Sequence, residues 1–168
     1  GENYHLLYSN LYDIRTVILR ITNPYGLFNW QNQNDYSIIN MFIHLAVNGK
    51  SLPVYGKGLQ LRDYVHINDV VRALLATGMD VRADGHVFNV GSGHSVSFIE
   101  MANIIVRLAN TESLVKHVEW PEDMAQVETG SFRADIGLIK KTIGWSPSIS
   151  LEDGLSNVIC SYKAFTGK

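Results

Sequence analysis

Short β-branched or apolar runs alternate with amphipathic stretches along almost the whole chain, and this alternation limits the possible fold more than any other feature. Residues 16–22 (Thr16-Val17-Ile18-Leu19-Arg20-Ile21-Thr22), 52–55, 61–67, 86–90 and 115–120 read as strands. Between them, Ile38, Ile39, Phe42, Ile43 and Ala46, then Val70, Val71, Leu74 and Leu75, then Ile99, Ala102, Val106 and Ala109 recur at helical spacing. Two further helices are predicted over 135–143 and 150–165, the second with Leu151, Leu155, Val158 and Tyr162 on one face. Strands alternating with helices imply an α/β fold with parallel pairing. The unbroken apolar character of 16–22 predicts a strand covered on both faces.

Local signals set the boundaries. Asn48-Gly49 ends one helix, Asn68 or Asp69 caps the next, and Ser97-Phe98-Ile99-Glu100 is a capping box. Gly144, with Pro147 beyond it, closes the helix over 135–143. Gly56-Lys57-Gly58 predicts a hairpin-like turn. Near the start, Tyr4, Leu7, Tyr8 and Leu11 share a helical face, which implies an exposed apolar patch or an altered dimer contact. The Asn- and Gln-rich stretch 29–35 has little to bury and is expected to be mobile.

At 168 residues the chain is long enough to build a core without disulfides or metal. Its 14 Lys+Arg against 16 Asp+Glu argue against a nucleic-acid footprint. No apolar run approaches the roughly twenty residues that span a bilayer, and residues 1–6 lack the pattern of a signal peptide. The single Cys160 then reads as a buried thiol in a reducing, cytoplasmic setting. Six histidines show no metal-ligand spacing, and His66 reads as a hydrogen-bonded core residue.

Three clusters invite a chemical reading. Gly91-Ser92-Gly93 follows a strand and precedes a helix, but Val96 stands where a dinucleotide fingerprint has its third glycine. A tight turn braced by Asn89 or Ser92 is the stronger reading of that spacing. Arg62-Asp63-Tyr64 places a permanent cation and an aromatic ring two residues apart, suited to a phosphate and a base or sugar. Two surface charges beside a half-buried tyrosine fit the spacing equally well. No Gly-x-Ser-x-Gly elbow is present to supply a nucleophile.

Taken in order, Arg20-Ile21-Thr22-Asn23-Pro24-Tyr25-Gly26, Leu52-Pro53-Val54-Tyr55-Gly56, Gln60 to Val70, Phe88 to Gly93, Ala134-Asp135 and Gly144-Trp145-Ser146-Pro147 resemble the extended short-chain dehydrogenases/reductases. The nearest likeness is to the NAD-dependent sugar-nucleotide epimerases and dehydratases of the UDP-glucose 4-epimerase type, and it covers essentially the whole chain. The resemblance implies a Rossmann-type α/β fold with a small substrate-binding domain. Residues 1–26 would be the end of the catalytic helix and a core parallel strand of the Rossmann part. Residues 27–168 would be mainly the substrate domain, with 61–93 returning strands and a helix to the Rossmann sheet.

The same resemblance assigns roles. Asn23 matches an asparagine that approaches the substrate pyrophosphate, and Pro24 a turn bordering the nicotinamide of NAD. Pro53 and Tyr55 match the strand that pairs with and stacks on the base, Arg62 the pyrophosphate-binding arginine with Tyr64 beside it, and Glu128 stands where an Asp is common. The family's Gly-x-x-Gly-x-x-Gly and Tyr-x-x-x-Lys do not occur in these 168 residues. The implied function is therefore the nucleotide-diphosphate-sugar-binding, carboxy-terminal half of an NAD-dependent epimerase, inactive alone and homodimeric in its parent. A dehydratase and a non-catalytic binding module are the alternatives.

Overall fold

The computed structural model describes residues 1–26, 37–121 and 130–167. Its elements are α1 (Glu2–Tyr12), β1 (Ile18–Ile21), β2 (Asn23–Tyr25), α2 (Ile38–Val47), β3 (Leu52–Tyr55), β4 (Leu61–Arg62), β5 (Tyr64–His66), α3 (Ile67–Met79), β6 (Val87–Val90), β7 (Val96–Ser97), α4 (Phe98–Ala109), β8 (Val115–Val118), α5 (Gly137–Ile143) and α6 (Leu151–Thr166). The class is α/β. Three strand pairs are parallel (β1 with β6, β2 with β5, β3 with β8) and one, β4 with β7, is antiparallel.

Strands β1 and β2 are one run of chain that changes partner. The Thr22 N–H still donates to Val90 at the end of β6, while the Asn23 N–H donates to the Asp63 carbonyl and starts the pairing with β5. The predicted strand 61–67 is correspondingly split: β4 belongs to one sheet and β5 to another. On β5 successive side chains serve different cores, as a strand's alternation requires. Tyr64 packs with Phe42, Ile43, Val54, Met101, Ile105 and Leu155, whereas Val65 packs with Val70, Phe88, Val90, Ile139 and Trp145.

Helix ends follow local chemistry. The Ser37, Ser97 and Ser150 side chains accept from the amides of Asn40, Glu100 and Asp153, respectively. Helix α3 departs from expectation, because its cap is His66 rather than Asn68 or Asp69, through Nδ1 accepting the Asn68 N–H at 3.2 Å. The buried stripe of α4 also differs from the predicted one, using Met101 and Ile105 with Ala102 and Ala109, while Ile99 and Val106 are only partly buried.

Other expectations change. Gly56-Lys57-Gly58 does not turn a hairpin, since β3 pairs in parallel with β8 and β4 pairs with β7. Strand β1 is not covered on both faces: Ile18 is buried but Arg20 and Ile21 are exposed, and β6 is its only partner among the described residues. Cys160 is exposed, on the solvent side of α6. The stretch 29–35 lies outside the described residues.

Helix α1 buries none of its residues. Tyr4, Leu7, Tyr8 and Leu11 form the exposed apolar patch that their spacing implies, and Arg20 holds Glu2 through two hydrogen bonds of 2.7–2.8 Å. An eleven-residue helix without packing is marginal in water. Hydrogen exchange on this chain should accordingly show the amides of 2–12 almost unprotected and those of α4 strongly protected.

Gly154, in the first turns of α6, is required for close packing. A Cβ there would fall inside the Tyr25 hydroxyl and 3.0 Å from His66 Cδ2, whereas one at Gly78 of α3 would meet nothing within 4 Å. Gly154→Ala should cost about 1–3 kcal/mol in denaturant unfolding. Gly78→Ala should leave stability unchanged or raise it by up to about 1 kcal/mol.

Candidate functional site

Asp63 organises the region that carries the sequence motifs. The residue is fully buried, yet no cation pairs with its carboxylate among the described residues. Instead the Ser92 N–H and Ser92 Oγ–H donate to Oδ1, both at 2.7 Å, and the amides of Gly93 and Ala134 donate to Oδ2, both at 3.1 Å. Successive amides of a glycine turn form a concavity suited to an anion, and here that anion is a side chain of the same molecule. A Cβ at Gly91 would lie 2.8 Å from Asp63 Oδ2, from Ala134 Cβ and from Thr22 Cγ2. The glycine at 91 is thus needed for close approach. The surface-charge reading of Asp63 is overturned, and the phosphate reading of Gly91-Ser92-Gly93 goes with it, because the amides that would cradle a phosphate are engaged.

The neighbouring residues divide between surface and core. Asn23 and Pro24 are exposed, and they pair in register with Tyr64 and Val65. Arg62 is half-buried, and its Nη1 donates to the carbonyls of Leu61, at 3.0 Å, and Gly130. Tyr64 is 4% exposed and lines a cavity of about 380 Å³ with Ser92, Val96, Pro147 and Leu151. Its hydroxyl has no hydrogen-bond partner among the described residues, and burial pushes its pKa up to about 12 against the opposing pull of the Arg62 charge. Burial, helped by the charges of Asp69 and Asp153, also drives the Tyr25 hydroxyl upward. A tyrosine that takes a proton near neutrality needs the opposite shift. Asn89 donates from Nδ2 to the Asp135 carbonyl at 3.1 Å, a bracing contact of the kind its spacing implied.

Strand β3 presents the other half of the site. The Leu52 and Gly56 amides donate to Leu114 and Val118, so residues 52, 54 and 56 face β8 and residues 53 and 55 face away from it. Pro53 has no N–H, which leaves its carbonyl and the Tyr55 N–H on that outer edge. No strand pairs there among the described residues. The half-buried Tyr55 ring packs on Trp120, with centroids 5.2 Å apart and planes inclined by 32°. The turn that leads from this edge to Arg62 is tied down, since Gly58 N–H donates to Tyr55 O, Ile99 N–H to Gly58 O and Phe98 N–H to Gln60 O. Edge and guanidinium therefore sit on one stiff piece of backbone. Glu128 lies outside the described residues.

A profile of the NAD dependent epimerase/dehydratase family matches residues 1–91. The chain belongs to that family. Among individual relatives it is 31% identical over 150 residues to a dTDP-glucose 4,6-dehydratase of Streptomyces griseus, covering 89% of this chain and 43% of that one. It is 34% identical over 165 residues to the low-salt glycan biosynthesis protein Agl12 of Haloferax volcanii, covering 92% and 47%. It is 29% identical over 160 residues to a putative UDP-glucose 4-epimerase of Methanocaldococcus jannaschii, covering 95% and 49%. The chain thus spans about half the length of the curated relatives it matches.

Solved structures agree on the fold, which is that of the extended short-chain dehydrogenases/reductases. Pal from Bacillus thuringiensis superposes with a TM-score of 0.86 at 29% identity, over 98% of this chain and 50% of that one. An epimerase from Methanothermobacter thermautotrophicus gives 0.87 at 27%, over 99% and 48%. UDP-glucose 4-epimerase from Thermotoga maritima, solved with UDP-glucose, gives 0.88 at 23% and speaks to fold alone. The family name implies NAD. The one glycine turn that could cradle a pyrophosphate already holds Asp63.

Asp63 and Asp69 are residues whose role no sequence motif disclosed. Asp69, also fully buried, accepts from Arg72, from the Ser148 and Ile149 amides and from the Ser148 hydroxyl, binding α3 to the segment before α6. Burial alone would raise its pKa, but the hydrogen bonds from Arg72, Ile149 and Ser148 outweigh that and hold the carboxyl below its usual range. His66 is lowered by burial, against the pull of Asp69.

Both shifts make the fold weaker in acid. Below the ordinary histidine value of 6.5 the unfolded chain protonates His66 before the folded one does, so stability falls until the folded value is passed. The Asp69 contribution is complete above the ordinary carboxylate range and is lost as pH falls through the depressed folded value. Unfolding free energies measured from pH 8 to 3 should decline in these two stages. His66→Asn should remove the upper stage, and Asp69→Asn should flatten the lower one while destabilising the protein at neutral pH. Asp63→Asn should cost about 1–3 kcal/mol for each amide left without an acceptor.

Proposed function

We propose that this chain is the carboxy-terminal, substrate-binding half of an NAD-dependent sugar-nucleotide epimerase, most like UDP-glucose 4-epimerase. The observation that carries this reading is the joining of the outer edge of β3 to Arg62 through a tied turn. A carbonyl and an N–H on a strand edge complement the adjacent donor and acceptor of a nucleobase, and a guanidinium suits a diphosphate. Pro53 and Tyr55 hold the base, Arg62 and Asn23 the diphosphate, with Tyr64 beneath them; Glu128 is a further substrate residue by resemblance alone. Pro24 borders the nicotinamide. The nucleotide thereby becomes a handle that places the sugar, and a remote handle of this kind contributes to rate as well as affinity.

Hydride acceptance by NAD and proton transfer by the tyrosine belong to the other half of the parent enzyme, and this chain is inactive without them. Residues 1–26 and 61–93 form its share of the Rossmann part. The two cores follow that division in part: β6, α3 and Val65 share one, which Ile139 and Trp145 also join, and α2, α4, α6 and Tyr64 share the other, which Tyr25 also joins. The exposed apolar face of α1 takes part in a homodimer seam of the parent. A dehydratase is the second reading, favoured by the 31% identity to a dTDP-glucose 4,6-dehydratase. The two differ in product: an epimer in one case, a keto-sugar with loss of water in the other. A non-catalytic relative would yield neither.

In the intact protein, calorimetry should show UDP or dTDP binding, and Arg62→Ala should weaken it about tenfold or more, as for a lost charge-assisted hydrogen bond. Unchanged affinity would remove Arg62 from the site. NAD titrated into the 168-residue chain alone should give no saturable signal.

A further inference from the structure

Trp120 stands two residues beyond β8 and belongs to none of the motifs that mark the site, yet it is the residue against which Tyr55 packs. The contact is built from several sides. Gly56 follows Tyr55 with φ of 57°, and a Cβ on it would lie 2.7 Å from Trp120 Nε1 and 3.1 Å from Cδ1. A bare backbone at 56 is therefore what lets the indole lie over the turn. The Gly56 N–H donates to Val118 at 2.8 Å, and the Gly56 carbonyl is 2.7 Å from His117 Nδ1, so the ends of β3 and β8 are locked in register. Trp120 is only half-buried, as is Tyr55, and the pair stands at the same end of the two strands.

Geometry decides how a base could use these rings. Two successive ring contacts need roughly 9 Å between the outer centroids, even at the shortest usual spacing of about 4.5 Å. At 5.2 Å the two rings leave no room for a base between them. A base on this platform must then lie against the side of Tyr55 that Trp120 does not cover. Trp120 fixes the plane and height of the Tyr55 ring relative to the outer edge of β3, where the Pro53 carbonyl and the Tyr55 N–H stand.

We infer that Trp120 is a positioning residue for nucleobase recognition: it backs Tyr55 and does not touch the base. The inference rests on the reading of β3 as the base-binding strand. It assigns the site a layered aromatic floor and makes the base, rather than the diphosphate, the part of the ligand that responds to residue 120. Stacking on an aromatic ring is worth enough per base to be read directly as affinity.

The test compares Trp120→Phe, Trp120→Leu and Tyr55→Ala in the intact protein. It uses whichever of UDP and dTDP the wild-type protein binds more tightly, with inorganic pyrophosphate as the ligand that lacks a base. Trp120→Leu should weaken the nucleotide five- to tenfold and leave pyrophosphate unchanged, and Trp120→Phe should restore most of the loss. Combining Trp120→Leu with Tyr55→Ala should add little to Tyr55→Ala alone, because both act through one ring. Equal weakening of nucleotide and pyrophosphate would make Trp120 a fold residue and overturn the inference. So would a Trp120→Phe variant no better than Trp120→Leu. Wild-type affinity in Trp120→Leu beside weak binding in Tyr55→Ala would overturn it while sparing the base site. Wild-type affinity in Tyr55→Ala would sink both.

Discussion

The buried carboxylate of Asp63 is the contact on which the arrangement of this chain depends. A charge taken out of water is tolerated only when its hydrogen-bonding capacity is met, and here the Ser92 hydroxyl and the amides of Ser92, Gly93 and Ala134 meet it. Those donors come from two segments distant in sequence, so the carboxylate holds the junction of β4 and β5 against the turn after β6 and the stretch before α5. Gly91 is bare because a side chain would collide with the same carboxylate. One short motif and one glycine turn, which look like separate sites, are two halves of a single internal salt-free clasp.

Function follows from what the clasp leaves on either side. With Asp63 turned inward, Arg62 stays at the surface and Tyr64 enters the core. Tyr64 and Val65 then point into different clusters, so β5 is the partition between the two packed regions. Arg62 ends β4, two residues before Tyr64, and its guanidinium donates to the carbonyls of Leu61 and Gly130. That is a suitable place to grip a diphosphate while the groups attached at its two ends reach in different directions. Asp69, in the first turn of α3 and paired with Arg72, ties that helix to the segment that leads into α6.

Much of the fold was legible because its signals are local. Ser97 caps α4 as its capping box announced, and Gly144 closes α5 with φ of 74°. What escaped notice was decided by partners far away in the chain. The stretch 61–67 has the composition of one strand, but Asp63 breaks it by turning to Ser92, so two strands in two sheets result. Gly56 and Gly58 look like a hairpin turn, yet β3 finds a parallel partner more than fifty residues away at β8. Cys160 shares the composition of buried positions but falls on the solvent side of α6. Of the proposed site, the motif residues Asn23, Pro53, Tyr55 and Arg62 were visible as a pattern; Trp120 was not, because its link to them is a ring-to-ring contact across strands.

The sequence by itself determined the α/β class, the positions of most helices and the family, since periodicity, capping and ordered motifs are properties of short segments. Tertiary structure decided that the Gly91-Ser92-Gly93 turn is occupied by a side chain of the same molecule. It decided that Asp63 is core and not surface, and that Tyr55 is backed by Trp120. The physical reason is the same in each case. A charge, an amide or an aromatic face has no fixed role until its partner is brought within a few ångströms, and that partner is supplied by the fold.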